Sequence, residues 1–361
     1  MNVHVWSETD AASERANAEW TMPNVRELKA ELAARGIELP QGCLEESDLE
    51  DLLRADDREK PREQSSKRQR HAPPGQVHVI TWNADRIAPM SGENTAKLRT
   101  VLKLLEQQEL GLPDVLAIQE TMLANQAALQ KAIVDSQGFT WFRPPGSVLP
   151  ENGFKRGVAL LVRDGSVLAG GCLLPLPWDD EHRVLAYNHA CGLLVAAYMP
   201  AVSRRDGRLE KRLAYEKHLA ALLREHRSRL LAVVGDLNIA PDDVDCSSEW
   251  GKFFLDGEDG TGEWRSRAQE LRQAHLTVLD AGGLVDAWRD QHSQERQYTS
   301  FQDEGWQRTG GNGWQARVDH VLVPRAKVAN AQAMIYSAIG PRVVGRYSDH
   351  VPVGVRVELQ T

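Results

Sequence analysis

The chain has 361 residues, of which 42% are hydrophobic and 26% charged, and its net charge is −8. That length and apolar content suit one large globular domain with a small companion and exclude wholesale disorder. The acidic balance excludes a surface coated in basic residues, although a local basic strip can still grip a nucleic acid. Residues 1–22 read as a flexible tail. Residues 23–55 form a compact helical module: Val25, Leu28 and Leu32 fall at helical spacing behind Asn24 as N-cap, and Gly36 follows as a stop. A second helix over 45–54 places Leu49, Leu52 and Leu53 on one face. Residues 56–76 have charge, Ser, Gln and Pro but no apolar period, so they read as a linker. Its Lys67, Arg68 and Arg70 read as solvated linker residues, with nuclear localisation or a DNA contact as the alternative.

From 77 to 361 strands alternate with helices. Strand-like runs cover 77–82, 115–118, 157–162, 193–198, 230–234, 318–323 and 351–357, and helical patterns cover 95–108, 209–227 and 264–281. Several strands are apolar on successive residues, as in Val158-Ala159-Leu160-Leu161-Val162, which requires burial on both faces. The expected fold class is α/β, packed sheets covered by helices in one domain of about 280 residues. Cys43, Cys172, Cys191 and Cys246 form no C-x-x-C pair, a pattern of reduced intracellular thiols without a zinc site. No secretory leader pattern opens the chain and no apolar run approaches membrane-spanning length. The expected location is the nucleus, with an organelle as the alternative.

Five of the runs break into small polar clusters that carry a carboxylate: Asn83 with Asp85, Glu120, Asp236 with Asn238, Asp319, and Asp349 with His350. In α/β sheets such strand ends are where ligands collect. Glu120 follows a buried run, so its charge calls for a rim position, a partner or a metal. With Asp85 and Asp349 as companions it suits Mg²⁺, which takes one or two carboxylates and leaves room for water and phosphate. Asp236 and Asn238, two residues apart, share a face of an extended segment: an Asp to orient or deprotonate water, an Asn to donate to phosphate or fix that Asp. Asp319 and His350 suit a carboxylate–imidazole pair, which either favours a cation facing developing phosphate charge or holds a neutral base in one tautomer. Tyr198 and Arg204 add phosphate contacts. His320 reads as structural.

The segments TWNADRI, DVLAIQETM, AAYMPAVSRRDGRLEKR, VVGDLNIAPDDVD, RVDHVLVP and YSDHVPVGV resemble, in the same order, the endonuclease/exonuclease/phosphatase superfamily, and within it the exonuclease III-type apurinic/apyrimidinic endonucleases. The resemblance covers residues 77–359. It implies a four-layer sandwich of two face-to-face β-sheets flanked by helices, and Mg²⁺-dependent hydrolysis, with Mn²⁺ as a substitute, 5′ to an abasic site in DNA. Carried over by position, it makes Glu120 the main metal ligand, with Asn83, Asp85, Asp236, Asn238, Asp349 and His350 around the metal. Asp236 aligns water, Asn83, Tyr198 and Asn238 hold phosphate, Asp319–His350 completes the site, and Arg204 and Trp314 contact DNA. Three features depart from the pattern. Ala201 stands where Asn is usual, Trp314 lies farther from Asp319, and a Gly-rich segment precedes it. The helical module resembles a SAP module, a DNA or chromatin binder, but its second helix is acidic (Glu45, Glu46, Asp48). The expected protein is thus a monomeric DNA-repair nuclease, with 3′-phosphodiesterase or 3′–5′ exonuclease activity as an addition. The alternatives are a tyrosyl-DNA phosphodiesterase-like or retrotransposon-type enzyme, and a non-enzymatic chromatin-tethered scaffold.

Overall fold

A computed structural model describes residues 72–84, 95–121, 138–143, 157–202, 208–247, 263–301, 315–339 and 348–359, all within the unit Gln69–Thr361. The expected tail, SAP-like module and most of the linker lie outside the described residues. The described elements are β1 (Gln76–Asn83), α1 (Thr95–Glu106), β2 (Val115–Gln119), β3 (Phe139–Phe142), β4 (Ala159–Arg163), β5 (Cys172–Leu173), β6 (Val184–His189), β7 (Gly192–Tyr198), α2 (Arg208–Glu225), β8 (Leu230–Asp236), α3 (Glu263–Gly282), β9 (Leu284–Asp286), α4 (Ala287–Gln291), β10 (Ser300–Phe301), β11 (Gln315–Ala316), β12 (Asp319–Pro324), β13 (Gln332–Ile335) and β14 (Val353–Glu358).

Two six-stranded sheets result, one ordered β13-β14-β1-β2-β4-β3 and the other β5-β6-β7-β8-β12-β9, with β10 and β11 forming a separate ribbon. Side chains alternate along β1: Val77 and Val79 enter the core between the sheets, with Leu194, Ala232 and Val321 of the second sheet, while Ile80 and Trp82 face out under Leu98, Leu102 and Leu105 of α1. Leu193, Val195 and Val233 face out in the same way, under Leu219 and Leu223 of α2 and Leu271 and Val278 of α3. Both faces of each sheet are covered, which is why the strands read as unbroken apolar runs rather than alternating ones. The architecture is the expected four-layer sandwich: helix, sheet, sheet, helices.

Parallel pairing decides where the chemistry sits. β1 pairs parallel to β2, with Asn83 opposite Gln119, and β7 pairs parallel to β8, with Tyr198 opposite Asp236. Parallel strands end together, so each sheet delivers two carboxyl-terminal strand ends to the same edge. The antiparallel partner β12 starts there, with Asp319 opposite Asp236, and His350 arrives just ahead of β14, the antiparallel neighbour of β1.

Candidate active site

Asn83 links the two sheets. Its amide Nδ2 donates to Asp236 Oδ2 at 2.9 Å and to Glu120 Oε1 at 3.3 Å. Its own carbonyl accepts from Ser348 Oγ at 2.7 Å, and the same hydroxyl accepts from the His350 backbone N–H at 2.9 Å. Ser348 thereby ties the end of β1 to the loop that carries the histidine. Tyr198 OH donates to Glu120 Oε1 at 2.7 Å, so one carboxylate oxygen of Glu120 collects donors from both sheets.

The backbone is bent to aim these groups. Glu120 has φ +52° and Asn238 has φ +48°, a left-handed conformation uncommon for non-glycine residues and concentrated where function requires it. Asn238 is held from three sides: its N–H donates to Asp236 Oδ1 at 2.9 Å and its Nδ2 to Met199 O at 2.9 Å, while its carbonyl accepts from Arg212 Nη1 at 3.4 Å. Gly235 sits at φ +150°, and a Cβ there would overlap the Ala197 carbonyl oxygen. Only glycine lets β8 approach β7 this closely one residue before Asp236.

Asp236 and Asp319 are fully buried neighbours across the β8–β12 ladder. Burial and then the charge of Asp319 raise the Asp236 pKa to about 7, against the opposing pull of His350, Asn83 and the Asn238 N–H. His350 Nδ1 lies 2.7 Å from Asp319 Oδ2. Burial works against the imidazolium, but the charge and hydrogen bond of Asp319, followed by Asp236 and Asp349, outweigh it and raise the His350 pKa to about 10. At neutral pH the ring is therefore a cation. Asp349, with a half-exposed side chain, places Oδ1 3.9 Å from His350 Nε2.

Asp236, Asp319 and His350 offer ligand atoms within 4.8 Å of one another, and Asp319 Oδ1 is buried without a hydrogen-bond partner among the described residues. The donor set around them, carboxylates from Glu120, Asp236 and Asp319 plus the Asn83 amide, is hard oxygen chemistry and fits a hard divalent cation. While His350 is protonated it offers no lone pair, so the carboxylates are the groups that would hold such a cation.

Of the residues picked out in the sequence, Asn83, Glu120, Tyr198, Asp236, Asn238, Asp319, Asp349 and His350 meet at this edge. Asp85, Arg204 and Trp314 lie outside the described residues. Sequence reading missed the supports. Arg183 lies over the Tyr198 ring, 4.9 Å from its centroid, and donates Nη1 to the Tyr198 carbonyl at 3.3 Å. Thr299 Oγ1 accepts from the Val318 and Asp319 N–H groups at 3.1 Å each. Behind β12, Arg317 donates to Asp245 at 2.7 Å and to Asp286 at 2.6 Å. His320 bridges Asp286 and the Ile239 carbonyl, both at 2.8 Å. The structural role expected for His320 is the one its two bonds describe, and it fixes the chain just past Asn238.

Comparison with known proteins supplies the remaining constraint. The sequence model of the endonuclease/exonuclease/phosphatase family matches residues 80–350. The DNA repair nuclease APEX1 of Danio rerio is 26% identical over 279 residues, covering 77% of this chain and 81% of that protein. An exodeoxyribonuclease of Streptococcus pneumoniae serotype 4 is 23% identical over 301 residues, covering 78% of this chain and 100% of that one. Among solved structures, the 3′ phosphatase NExo from Neisseria bound to a product DNA hairpin superposes with a TM-score of 0.59 at 25% identity, over 79% of this chain and 100% of that chain. An AP endonuclease from Archaeoglobus fulgidus shares the fold with a TM-score of 0.56 at 22% identity, over 77% of this chain and 98% of that chain.

Proposed function

The chain belongs to the endonuclease/exonuclease/phosphatase family, and from that premise we propose that it is a DNA-repair phosphodiesterase that incises 5′ to abasic sites with the help of Mg²⁺, for which Mn²⁺ can substitute. The observation that carries the reading is the convergence of Asn83, Glu120, Asp236, Asp319 and His350 from two sheets onto one edge. Its chemistry is the one needed to add water to a phosphodiester.

Asp236 takes the proton of the attacking water at its carboxylate. The Asn83 amide and the Asn238 N–H hold that carboxylate in place, and its raised pKa makes it a stronger base than an ordinary Asp. The His350 imidazolium, fixed by Asp319, faces the negative charge that builds on the phosphoryl oxygens and stabilises it. Tyr198 and Asn83 orient Glu120. A divalent cation held by Glu120 and its carboxylate neighbours would neutralise phosphate charge and stabilise the leaving oxygen. The likeness to the DNA repair nuclease APEX1 supports DNA as the substrate.

A second reading, removal of blocking groups from DNA 3′ ends, is favoured by the likeness to the 3′ phosphatase and by Ala201, which puts a methyl group where an amide is usual. One assay separates the two. A duplex with a single tetrahydrofuran abasic analogue and a duplex ending in a 3′-phosphate are each incubated with the protein and Mg²⁺. Incision 5′ to the analogue, abolished by EDTA, is the expected result. Release of phosphate from the 3′ end without internal incision establishes the second reading, and equal cutting of intact duplex rejects both.

A further inference from the structure

Among the described residues, three that are not glycine adopt the left-handed backbone: Glu120, Asn238 and His182. The first two carry side chains of the candidate active site. His182, at φ +56°, lies in the polar run Asp179-Asp180-Glu181-His182-Arg183 that leads into β6. Such a conformation is strained and persists where the surroundings enforce it. Here they do. The buried Asp179 carboxylate accepts from the N–H groups of Arg183 at 3.0 Å and Val184 at 2.7 Å, and from Tyr215 OH of α2 at 2.9 Å. The His182 carbonyl accepts from the Val158 N–H at 3.3 Å, which ties this turn of the second sheet to the segment ahead of β4 in the first.

What the turn delivers is Arg183. β6 and β7 pair antiparallel with Val184 opposite Ala197, so Arg183 comes beside Tyr198, and it engages that residue at three points. Its carbonyl accepts from the Tyr198 N–H at 2.7 Å, its Nη1 donates to the Tyr198 carbonyl at 3.3 Å, and its guanidinium lies 4.9 Å from the ring centroid. The hydroxyl at the far end of the same ring donates to Glu120 Oε1 at 2.7 Å. The guanidinium is fixed in turn: Nε donates to Glu181 Oε2 at 2.6 Å, and Glu181 also pairs with Lys211 of α2. Burial opposes the charge of Glu181, but the bonds from Lys211 and Arg183 outweigh it and hold its pKa below the ordinary value.

A cation over the face of a phenol ring is attracted to its π electrons and anchors the ring. It also draws density from the phenol oxygen, which makes the O–H a stronger donor to Glu120. The planar guanidinium can bond a carboxylate, bond a carbonyl and stack on a ring at once, which an ammonium cannot. We infer that Arg183 is a positioning residue, one that fixes Tyr198 and through it the Glu120 carboxylate, so that the cation site is set from the second sheet. The inference rests on the proposed role of Glu120 as cation holder, not on which phosphodiester is cut.

Arg183→Met, Tyr198→Phe and the double variant, each with its thermal unfolding midpoint, test it by two readouts: Mn²⁺ binding titrated without DNA, and single-turnover incision of the tetrahydrofuran duplex. Each single variant should weaken Mn²⁺ binding and lower the maximal rate by about 10–100-fold, with the half-saturating duplex concentration little changed. The double variant should be no worse than Tyr198→Phe alone, because both changes remove one interaction. Arg183→Lys, which keeps the charge but not the fork, should recover part of the loss. Losses that multiply in the double variant overturn the inference. So does a loss confined to the half-saturating concentration, which would make Arg183 a DNA contact. If Arg183→Met does not fold, Glu181→Gln, which releases Arg183 Nε, decides the matter: smaller losses that disappear in the Tyr198→Phe background are expected, and no loss overturns the inference. A protein that binds Mn²⁺ with this coupling but leaves the duplex uncut refutes the proposed substrate and keeps Arg183 in its role. One that binds no Mn²⁺ overturns both.

Discussion

At the scale of single residues, the buried pair of acids with one histidine makes both stability and catalysis depend on pH. Asp236 titrates near 7 in the folded chain against an ordinary 3.8, and His350 near 10 against 6.5. Both folded values are raised, so each group contributes stability that is complete below its unfolded pKa and lost as pH rises through its folded one. Without divalent cations the melting temperature should fall as pH is raised from about 6.5 to 10, and His350→Gln should flatten the upper part of that slope. Melting curves in EDTA across this range check it; a rise in stability with pH would contradict the assignment. In catalysis the base form of Asp236 is needed together with the cationic form of His350, so the rate should be bell-shaped in pH. A bound cation moves its acid limb below 7 by favouring the carboxylate. Asp236→Asn should lower kcat by about 10²–10⁴ with little change in DNA binding, measured by single-turnover incision and by a binding titration with the same duplex.

At the scale of elements, the loops that end β7 and β8 are held by one arginine. Arg212 of α2 is fully buried and pairs with Glu216 one turn later. It donates to the Pro200 carbonyl at 2.8 Å and the Leu237 carbonyl at 2.6 Å, and reaches Asn238 O. Its fork therefore sets the left-handed turn that aims Asn238. Arg212→Met strands Glu216 as a lone buried charge and should cost about 3–5 kcal/mol, measured by denaturant unfolding. Arg212→Met/Glu216→Leu should recover part of that loss, and a double variant as unstable as the single one would show that the carbonyls, not the ion pair, dominate. This clamp was not legible in the sequence. Arg212 falls in the charge-rich run RLEKR, which carries no sign of burial, and only the packing of α2 on the second sheet buries it. The helices themselves were legible: the pattern over 264–281 matches α3, Glu263–Gly282, within a residue at each end, because long apolar stripes at helical spacing survive any tertiary context. The short strands β3, β5, β9 and β13 were missed, since two to four residues carry too little periodicity to stand out. β6 was missed because its run Val184–His189 merges through Ala190 and Cys191 into the next strand.

At the scale of the whole molecule, the polar breaks at strand ends were legible because the fold buries nearly all of the central strands on both faces, leaving the ends as the main places for charge. Their convergence was not, because it depends on β1 and β2 in one sheet and β7 and β8 in the other both running parallel toward one edge, which periodicity alone does not state. The chain also carries 71 residues before the described part, expected to include the SAP-like module. If that module adds DNA contacts, removing residues 1–60 should weaken duplex binding at low salt and reduce the salt dependence, since fewer phosphates are neutralised. Unchanged affinity in a titration at two salt concentrations would assign the segment to another role.

The central claim is a division of labour within one site, with cation binding at Glu120 and charge stabilisation at His350. Single-turnover incision of the abasic-analogue duplex across a Mg²⁺ titration, with Glu120→Ala and His350→Ala beside the unaltered protein, tests it most directly. The account predicts that both variants are slow and that rising Mg²⁺ partly restores Glu120→Ala while leaving His350→Ala unchanged. Restoration of His350→Ala alone, or incision by either variant at the unaltered rate, would contradict it.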